Sequence, residues 1–230
     1  MHKRQIRSFI SRGMRMTQGQ RQALDSLSPR YCLRVEDGLI DFVTVFARDA
    51  DVIMDIGFGT GASLLSMAQA HPENDYLGVE VYPAGVGSLL AGVAKAEINN
   101  VHIYQCDVID VLNQCIKDES LSGITIFFPD PWPKRKHHKR RLIQPDFIAL
   151  LLHKLKPAGF LHLATDWQHY AQQMMKILSN AAEFHNEAGV GQFSSERYER
   201  PVTKFEKRGK QKGHDIWDLY FTKITKSPLK

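Results

Sequence analysis

The sequence predicts an α/β fold, a doubly wound and mostly parallel sheet with helices on both faces. Short apolar runs alternate with segments of helical period through the middle of the chain, and a glycine-rich turn joins the first such run to the first such segment. Bulk composition leaves room for this fold: 230 residues, 43% hydrophobic and 24% charged, supply one domain with a sizeable core and are too apolar for wholesale disorder. With 16 Gly and 10 Pro, collagen-like and low-complexity classes are excluded. No apolar run reaches the length of a membrane span, so a soluble protein is expected.

The elements follow in chain order. Asp51 to Ile56 (DVIMDI) reads as the first strand, the turn GFGTG follows, and Leu64, Leu65 and Ala68 then share one face of a helix. Asp75 to Val81 is the second strand, a helix from Ala84 to about Glu97 leads to a third at Val101 to Gln105, and Gly123 to Phe128 (GITIFF) is the fourth. Pro145 suits the first turn of a helix that ends at the KPAG turn, residues 156 to 159, before a fifth strand from Phe160 to Thr165. Trp167, Tyr170, Ala171, Met174 and Ile177 fall at helical spacing and read as a core stripe. Ile216 to Ile224 alternates as a last, antiparallel strand would. There is no internal repeat and no linker long enough to separate two domains.

The formal net charge is +5, unevenly spread. Residues 1 to 24 hold six Lys/Arg and no acid, residues 134 to 141 (KRKHHKRR) six more, and residues 197 to 213 seven basic against two acidic. These segments carry +17 and leave −12 on the rest. An acidic body wearing three basic patches points to a polyanion, since phosphates are neutralised by Lys and Arg without regard to sequence. The tract at 134 to 141 has no apolar face of its own, which favours nucleic acid over a membrane surface.

Three cysteines, Cys32, Cys106 and Cys115, with no C-x-x-C, argue against a disulfide framework and for a reducing compartment. Ten histidines offer no metal-ligand spacing, so no metal site is expected. The basic opening lacks the apolar stretch of a secretory signal, which points to a cytoplasmic protein, with an organellar transit peptide as the alternative.

The strongest local signal is Asp55-Ile-Gly57-Phe-Gly59-Thr-Gly61 at a strand-to-helix turn, where glycines let backbone approach a ligand. The third glycine comes one residue early for the dinucleotide fingerprint and Asp55 stands before the first, departures that point to S-adenosylmethionine rather than NAD. Glu80, at the end of the second strand, can accept from both ribose hydroxyls. Asp107, past the third strand, would face an adenine amine or else cap a turn. The most specific stretch is Phe128-Pro129-Asp130-Pro131-Trp132-Pro133, a stiffened loop at the carboxyl edge of the fourth strand whose Trp132 offers a π-face to a base. The basic tract follows at once, placing cofactor, stacking surface and phosphate clamp side by side.

Together these residues resemble the bacterial tRNA (guanine-N7-)-methyltransferase family. Its hallmarks appear as RSFISRGMRMTQGQ (7 to 20), MDIGFGTG (54 to 61), FFPDPWPKRKHHKRR (127 to 141), ATDW (164 to 167), RPVTKFEKRG (200 to 209) and GHDIWDLYF (213 to 221), spanning nearly the whole chain. The resemblance implies a class I methyltransferase fold with a seven-stranded, Rossmann-like sheet whose last strand is antiparallel. The chain is expected to divide into a basic N-terminal extension at 1 to 35, with ordering before or only on RNA binding left open, and one methyltransferase domain at 36 to 226. By similarity Asp55, Gly57, Gly59, Gly61, Glu80, Asp107 and Asp130 would contact S-adenosylmethionine, with Asp130 also catalytic. Lys134, Asp166, Thr203, Lys204, Phe205 and Glu206 would meet the substrate, and Lys136, His137, His138, Lys139, Arg140 and Arg141 would touch tRNA. The family more often has Glu where this chain has Asp55. A monomer that needs no protein partner is expected.

The chemistry agrees with the resemblance. Guanine N7 carries a free lone pair, so attack on the sulfonium methyl needs no base, and in-line alignment is the main task, an effect worth up to ~7–11 kcal/mol. Carboxylates near the purine would stabilise the charge that develops there. One of Asp130, Asp166 or Glu206 would select guanine by accepting from N1–H and the N2 amine; Asp166 is also a candidate helix N-cap. A-form RNA hides N7 in its narrow major groove, which favours a loop such as the tRNA variable loop as target. The rivals are a methyltransferase acting on an exocyclic amine, a non-catalytic RNA-binding module, and an NAD-dependent reductase.

Overall fold

Strand β2 (Val52–Ile56) is buried at every position, as a strand must be when helices cover both faces of its sheet. The computed structural model describes residues 8–9, 15–211, 213 and 215–225, and for Lys204, Phe205, Arg208 and Lys210 the backbone alone. After β2 come α3 (Ala62–Ala70), β3 (Asp75–Val79), α4 (Pro83–Ala96), β4 (Val101–Tyr104), α5 (Val108–Gln114), β5 (Leu121–Phe127), α6 (Pro145–Lys154), β6 (Leu155–Thr165) and α7 (Gln168–Ser179). Before it lie α1 (Gln18–Tyr31), β1 (Cys32–Leu33) and α2 (Phe42–Phe46); after α7 lie β7 (Phe184–Asn186), α8 (Lys204–Gln211) and β8 (Trp217–Lys223).

The sheet runs β1-β4-β3-β2-β5-β6-β8-β7, parallel as far as β6 and antiparallel at β8 and β7. The predicted α/β class and antiparallel last strand are present; the two-residue β1 makes the strands eight rather than seven. From β2 the chain winds outward through β3 and β4, then returns to start β5 on the other side of β2. In open sheets of this kind ligands bind at such a switch point, outside the carboxyl ends of the strands, which here are those of β2 and β5.

Two cores follow from strand alternation. Val52, Met54 and Ile56 pack with Val111 and Leu112 of α5, Leu151 of α6, and Tyr170 and Met174 of α7. Ile53, on the opposite face, packs with Leu64 and Met67 of α3, Leu89 and Val93 of α4, and Ala23 and Tyr31 of α1. The Trp167 to Ile177 stripe is core, as its spacing predicts. The described end of the 1 to 35 extension, from Gln18 on, is helix α1, opened by a Thr17–Gln20 capping box and lying against α4. The KPAG turn lies inside β6 as an irregularity, with Leu155 to Phe160 opposite only Leu121 to Gly123. Among the described residues no helix is long and apolar enough to cross a membrane.

Candidate active site

The glycine turn leaves β2 with Gly57, Gly59 and Gly61 all at positive φ, a path that side chains would strain. Behind it Asp55 is buried: Oδ1 accepts from the Thr125 hydroxyl at 3.0 Å, while Oδ2 has no hydrogen-bond partner among the described residues. Burial, opposed by the Thr125 hydrogen bond and reinforced by the charge of Glu80, lifts the Asp55 carboxyl to about 7. Glu80 leaves β3 beside the same turn and accepts from Gly59 N at 2.8 Å, Val81 N at 2.7 Å and Tyr82 N at 3.0 Å. Its carboxyl is raised by burial, with Asp130 adding like charge and the three backbone amides working against the shift. Asp107 is the N-cap of α5 and accepts from Ile109 N at 3.1 Å. An unsatisfied buried acceptor at Asp55, a carboxylate held at Glu80 and a left-handed glycine backbone between them suit a ligand with an ammonium donor and ribose hydroxyls. S-Adenosylmethionine has both.

The loop after β5 turns sharply, with Phe128 at φ +54° and Trp132 at φ +43° on either side of Pro129-Asp130-Pro131. Phe128 N donates to Ala164 O, which prolongs the β5–β6 pairing into the loop, and the Asp130 side chain is exposed at its tip. Trp132 donates its indole N–H to the Ser8 carbonyl at 3.0 Å, and the Arg140 guanidinium lies 5.1 Å from its ring centroid. One side of the ring expected to stack on a base is therefore near an arginine of the basic tract.

That tract is a 3₁₀ turn, Arg135–Arg140, with Lys134, Lys136 and Lys139 exposed and His137, His138 and Arg140 half-buried. Arg141 departs from the expectation that it touches RNA. It is 2% exposed, donates from Nε to the Pro131 carbonyl at 2.8 Å and from Nη1 to Gln173 and His169, and sits 4.7 Å from the Tyr170 ring centroid. A planar guanidinium with carbonyl acceptors and an aromatic face within reach is accommodated inside, which a charge count cannot register.

Asp166 ends β6. The N-cap position of α7 is Trp167, whose N–H donates to Thr165 Oγ1, and Asp166 stands one residue before it. Against Asp166 lies α8: a Cβ on Gly209 would come within 3.2 Å of both Cβ and Oδ2 of Asp166. Thr203 opens α8, its hydroxyl accepting from Glu206 N at 3.1 Å; Lys204 and Phe205 form the first turn, their side chains outside the described residues. Glu206, expected beside the substrate, is fully enclosed, bonded to Arg197 and, at 2.8 Å, to Arg200 Nη1.

Thus the structure brings Asp55, the glycines, Glu80, Asp130, Asp166 and Thr203 to the carboxyl edge, and turns Glu206 and Arg141 inward to hold the loops. Sequence reasoning missed Thr125, Arg200 and Asp218. Thr125 carried a signal, as a polar residue in the apolar run GITIFF that registers opposite Asp55.

The family described as "Putative methyltransferase" matches residues 49–219. The chain is 50% identical over 221 residues to a tRNA (guanine-N(7)-)-methyltransferase of Pseudomonas savastanoi pv. phaseolicola, covering 96% of this chain and 91% of that one. It is 48% identical to the protein of that description from Stutzerimonas stutzeri, covering 96% and 93%. Among solved structures, an S-adenosylmethionine-dependent O-methyltransferase from Thermotoga maritima aligns with a TM-score of 0.51 at 15% identity, over 90% of this chain and 73% of the other. A 30S ribosomal A1408 methyltransferase from an uncultured bacterium aligns with 0.50 at 13%, over 84% and 95%. At these identities the two structures show a shared methyltransferase fold.

Proposed function

The chain belongs to the tRNA (guanine-N(7)-)-methyltransferase family, and on that premise we propose that it methylates N7 of a guanine in the variable loop of tRNA. S-Adenosylmethionine supplies the methyl group, carried on a sulfonium sulfur. Asp55 Oδ2 would accept from its ammonium, Glu80 from its ribose, and Asp107 from its adenine amine.

The observation that carries this reading is the convergence at one sheet edge of the Asp55–Glu80 turn, the Asp130 loop, Asp166 under α8, and the exposed basic turn at 134–140. Guanine N7 is already a nucleophile, so the residues need only align it and stabilise the positive charge that grows on the purine. Asp130, exposed at the loop tip, is the catalytic carboxylate. With Glu206 enclosed, selection of guanine through N1–H and N2–H falls to Asp130 and Asp166. Lys134, Arg135, Lys136 and Lys139 would neutralise phosphates around the target loop, with His137, His138 and Arg140 beside them.

The test is incubation of the purified protein with labelled S-adenosylmethionine and unmodified tRNA transcript, followed by digestion and mass spectrometry of the nucleosides. N7-Methylguanosine is expected, lost in Asp130→Ala. A methylated adenosine or cytidine would assign the protein to exocyclic-amine chemistry.

A further inference from the structure

Deep beneath the site lies a charged cluster to which the proposed reaction assigns no role. Arg200 is 4% exposed and its planar fork is divided between two acids. Nε and Nη2 bond the two oxygens of Asp218 on β8, each at 2.7 Å, while Nη1 reaches Glu206 of α8 at 2.8 Å. The guanidinium carbon lies 5.7 Å from the ring centroid of Phe127 and 5.6 Å from that of Phe128, the residues that lead into the Asp130 loop. One side chain thereby touches the start of the Asp130 loop, the final strand and α8.

Further described residues join the cluster. Asp218 Oδ1 also accepts from His162 Nε2 at 2.9 Å, and Arg197 bonds the other oxygen of Glu206. Burial holds the His162 imidazole below its usual range, although Asp218 pulls the other way; at this contact the carboxylate accepts and Nε2–H donates. Among the described residues two guanidiniums, Arg197 and Arg200, face two carboxylates, Glu206 and Asp218. Buried ion pairs of this kind give little net stability compared with apolar packing, yet they hold their partners in a single arrangement.

We propose that Arg200 is a positioning residue of the methyl-transfer site, fixing α8 through Glu206 and so setting where Asp166 stands relative to the Asp130 loop. This rests on the reading that Asp130 and Asp166 face the guanine. The transmission is geometric: Arg200 holds Glu206, α8 carries Glu206 and Gly209 on adjacent turns, and Gly209 lies directly on Asp166. Lysine cannot replace it, because one ammonium cannot bond both oxygens of Asp218 and still reach Glu206 in the same plane.

The experiment compares wild type, Arg200→Lys, Glu206→Gln and Gly209→Ala for kcat and KM with unmodified tRNA, S-adenosylmethionine affinity by calorimetry, and melting temperature. Arg200→Lys is expected to lower kcat by about 100-fold, the cost of roughly 1 Å of misplacement, with cofactor affinity within about twofold of wild type. Gly209→Ala, which leaves the buried charges intact and pushes on Asp166 from above, is expected to lower kcat in the same sense. Should Arg200→Lys fail to fold, Glu206→Gln, which keeps the shape and one acceptor, carries the test with an expected fall of about tenfold. The proposal is overturned by a folded Arg200→Lys with kcat within twofold of wild type, by a change confined to KM for tRNA, or by a silent Gly209→Ala. Wild type yielding no N7-methylguanosine would instead overturn the functional reading, separately from any variant.

Discussion

At Asp55 a carboxyl is buried with one oxygen bonded to Thr125 and the other without a partner among the described residues, so its ionised form loses hydration that those residues do not fully replace. It ionises at about 7 in the fold against 3.8 ordinarily. The folded state therefore keeps a proton that the unfolded chain gives up, and the stability this contributes is complete below the ordinary value and lost as pH rises through about 7. A cationic donor placed on Oδ2 would favour the carboxylate and expel that proton. We expect S-adenosylmethionine affinity to rise between about pH 6 and about pH 8, with proton release visible by calorimetry in two buffers of different ionisation heat. Asp55→Asn should abolish the release, weaken binding, and raise the melting temperature of the ligand-free protein above neutral pH. Affinity that stays flat across this range, with no proton released, would mean that Asp55 is already ionised. The sequence places Asp55 before the glycine turn; it does not reveal Thr125, because that partnership depends on the β2–β5 register, 70 residues apart.

Helix α4 illustrates how an element can be chosen for what it leaves out. Its first turn carries Gly85, where an added Cβ would sit 2.1 Å from the Gly59 carbonyl oxygen and 3.3 Å from Glu80 Cγ. By helix propensity alone alanine there would stabilise by about 1 kcal/mol. The obstructing atom is backbone, so the clash must be relieved by moving α4 or the glycine turn, at a cost of about 1–3 kcal/mol that outweighs the propensity. We expect Gly85→Ala to lower the melting temperature and to weaken S-adenosylmethionine binding by at least tenfold, since the displaced turn is the one that Glu80 holds. A variant as stable as wild type with unchanged affinity would show that the turn yields freely. Elements buried on both faces, such as β2 and β5, are legible because burial shows as runs that are apolar but for one or two residues. Helix α8 is not: KFEKRGKQ has Phe205 as its one large apolar residue, and among the described side chains what seats it is one buried carboxylate and one glycine, which no periodicity marks.

For the molecule as a whole, charge divides into cations that face solvent and cations that hold the site together, a division that a linear count of Lys and Arg does not contain. Lys134, Lys136 and Lys139 are exposed beside the Asp130 loop, whereas Arg141 and Arg200 are 2% and 4% exposed and bonded to chain atoms. Removing members of the two groups should therefore fail differently. Each RNA phosphate left without its cation reduces the slope of log affinity against log salt by about 0.7–0.9, so the triple change of Lys134, Lys136 and Lys139 to Ala should flatten the tRNA salt dependence by about 2 to 3 while leaving the melting temperature within a few degrees of wild type. Arg141→Ala should do the reverse. It strands the Pro131 carbonyl, leaves Gln173 and the Tyr170 face without their cation, and should cost about 2–4 kcal/mol of stability, with the salt slope unchanged. Filter binding across a salt series and thermal melts on the same four proteins, wild type, the triple variant, Arg141→Ala and Lys136→Ala, separate the two classes. A triple variant with the wild-type slope would mean that the basic turn does not meet phosphate, and the electrostatic partner of this edge would then have to be sought in the basic segments at either end of the chain.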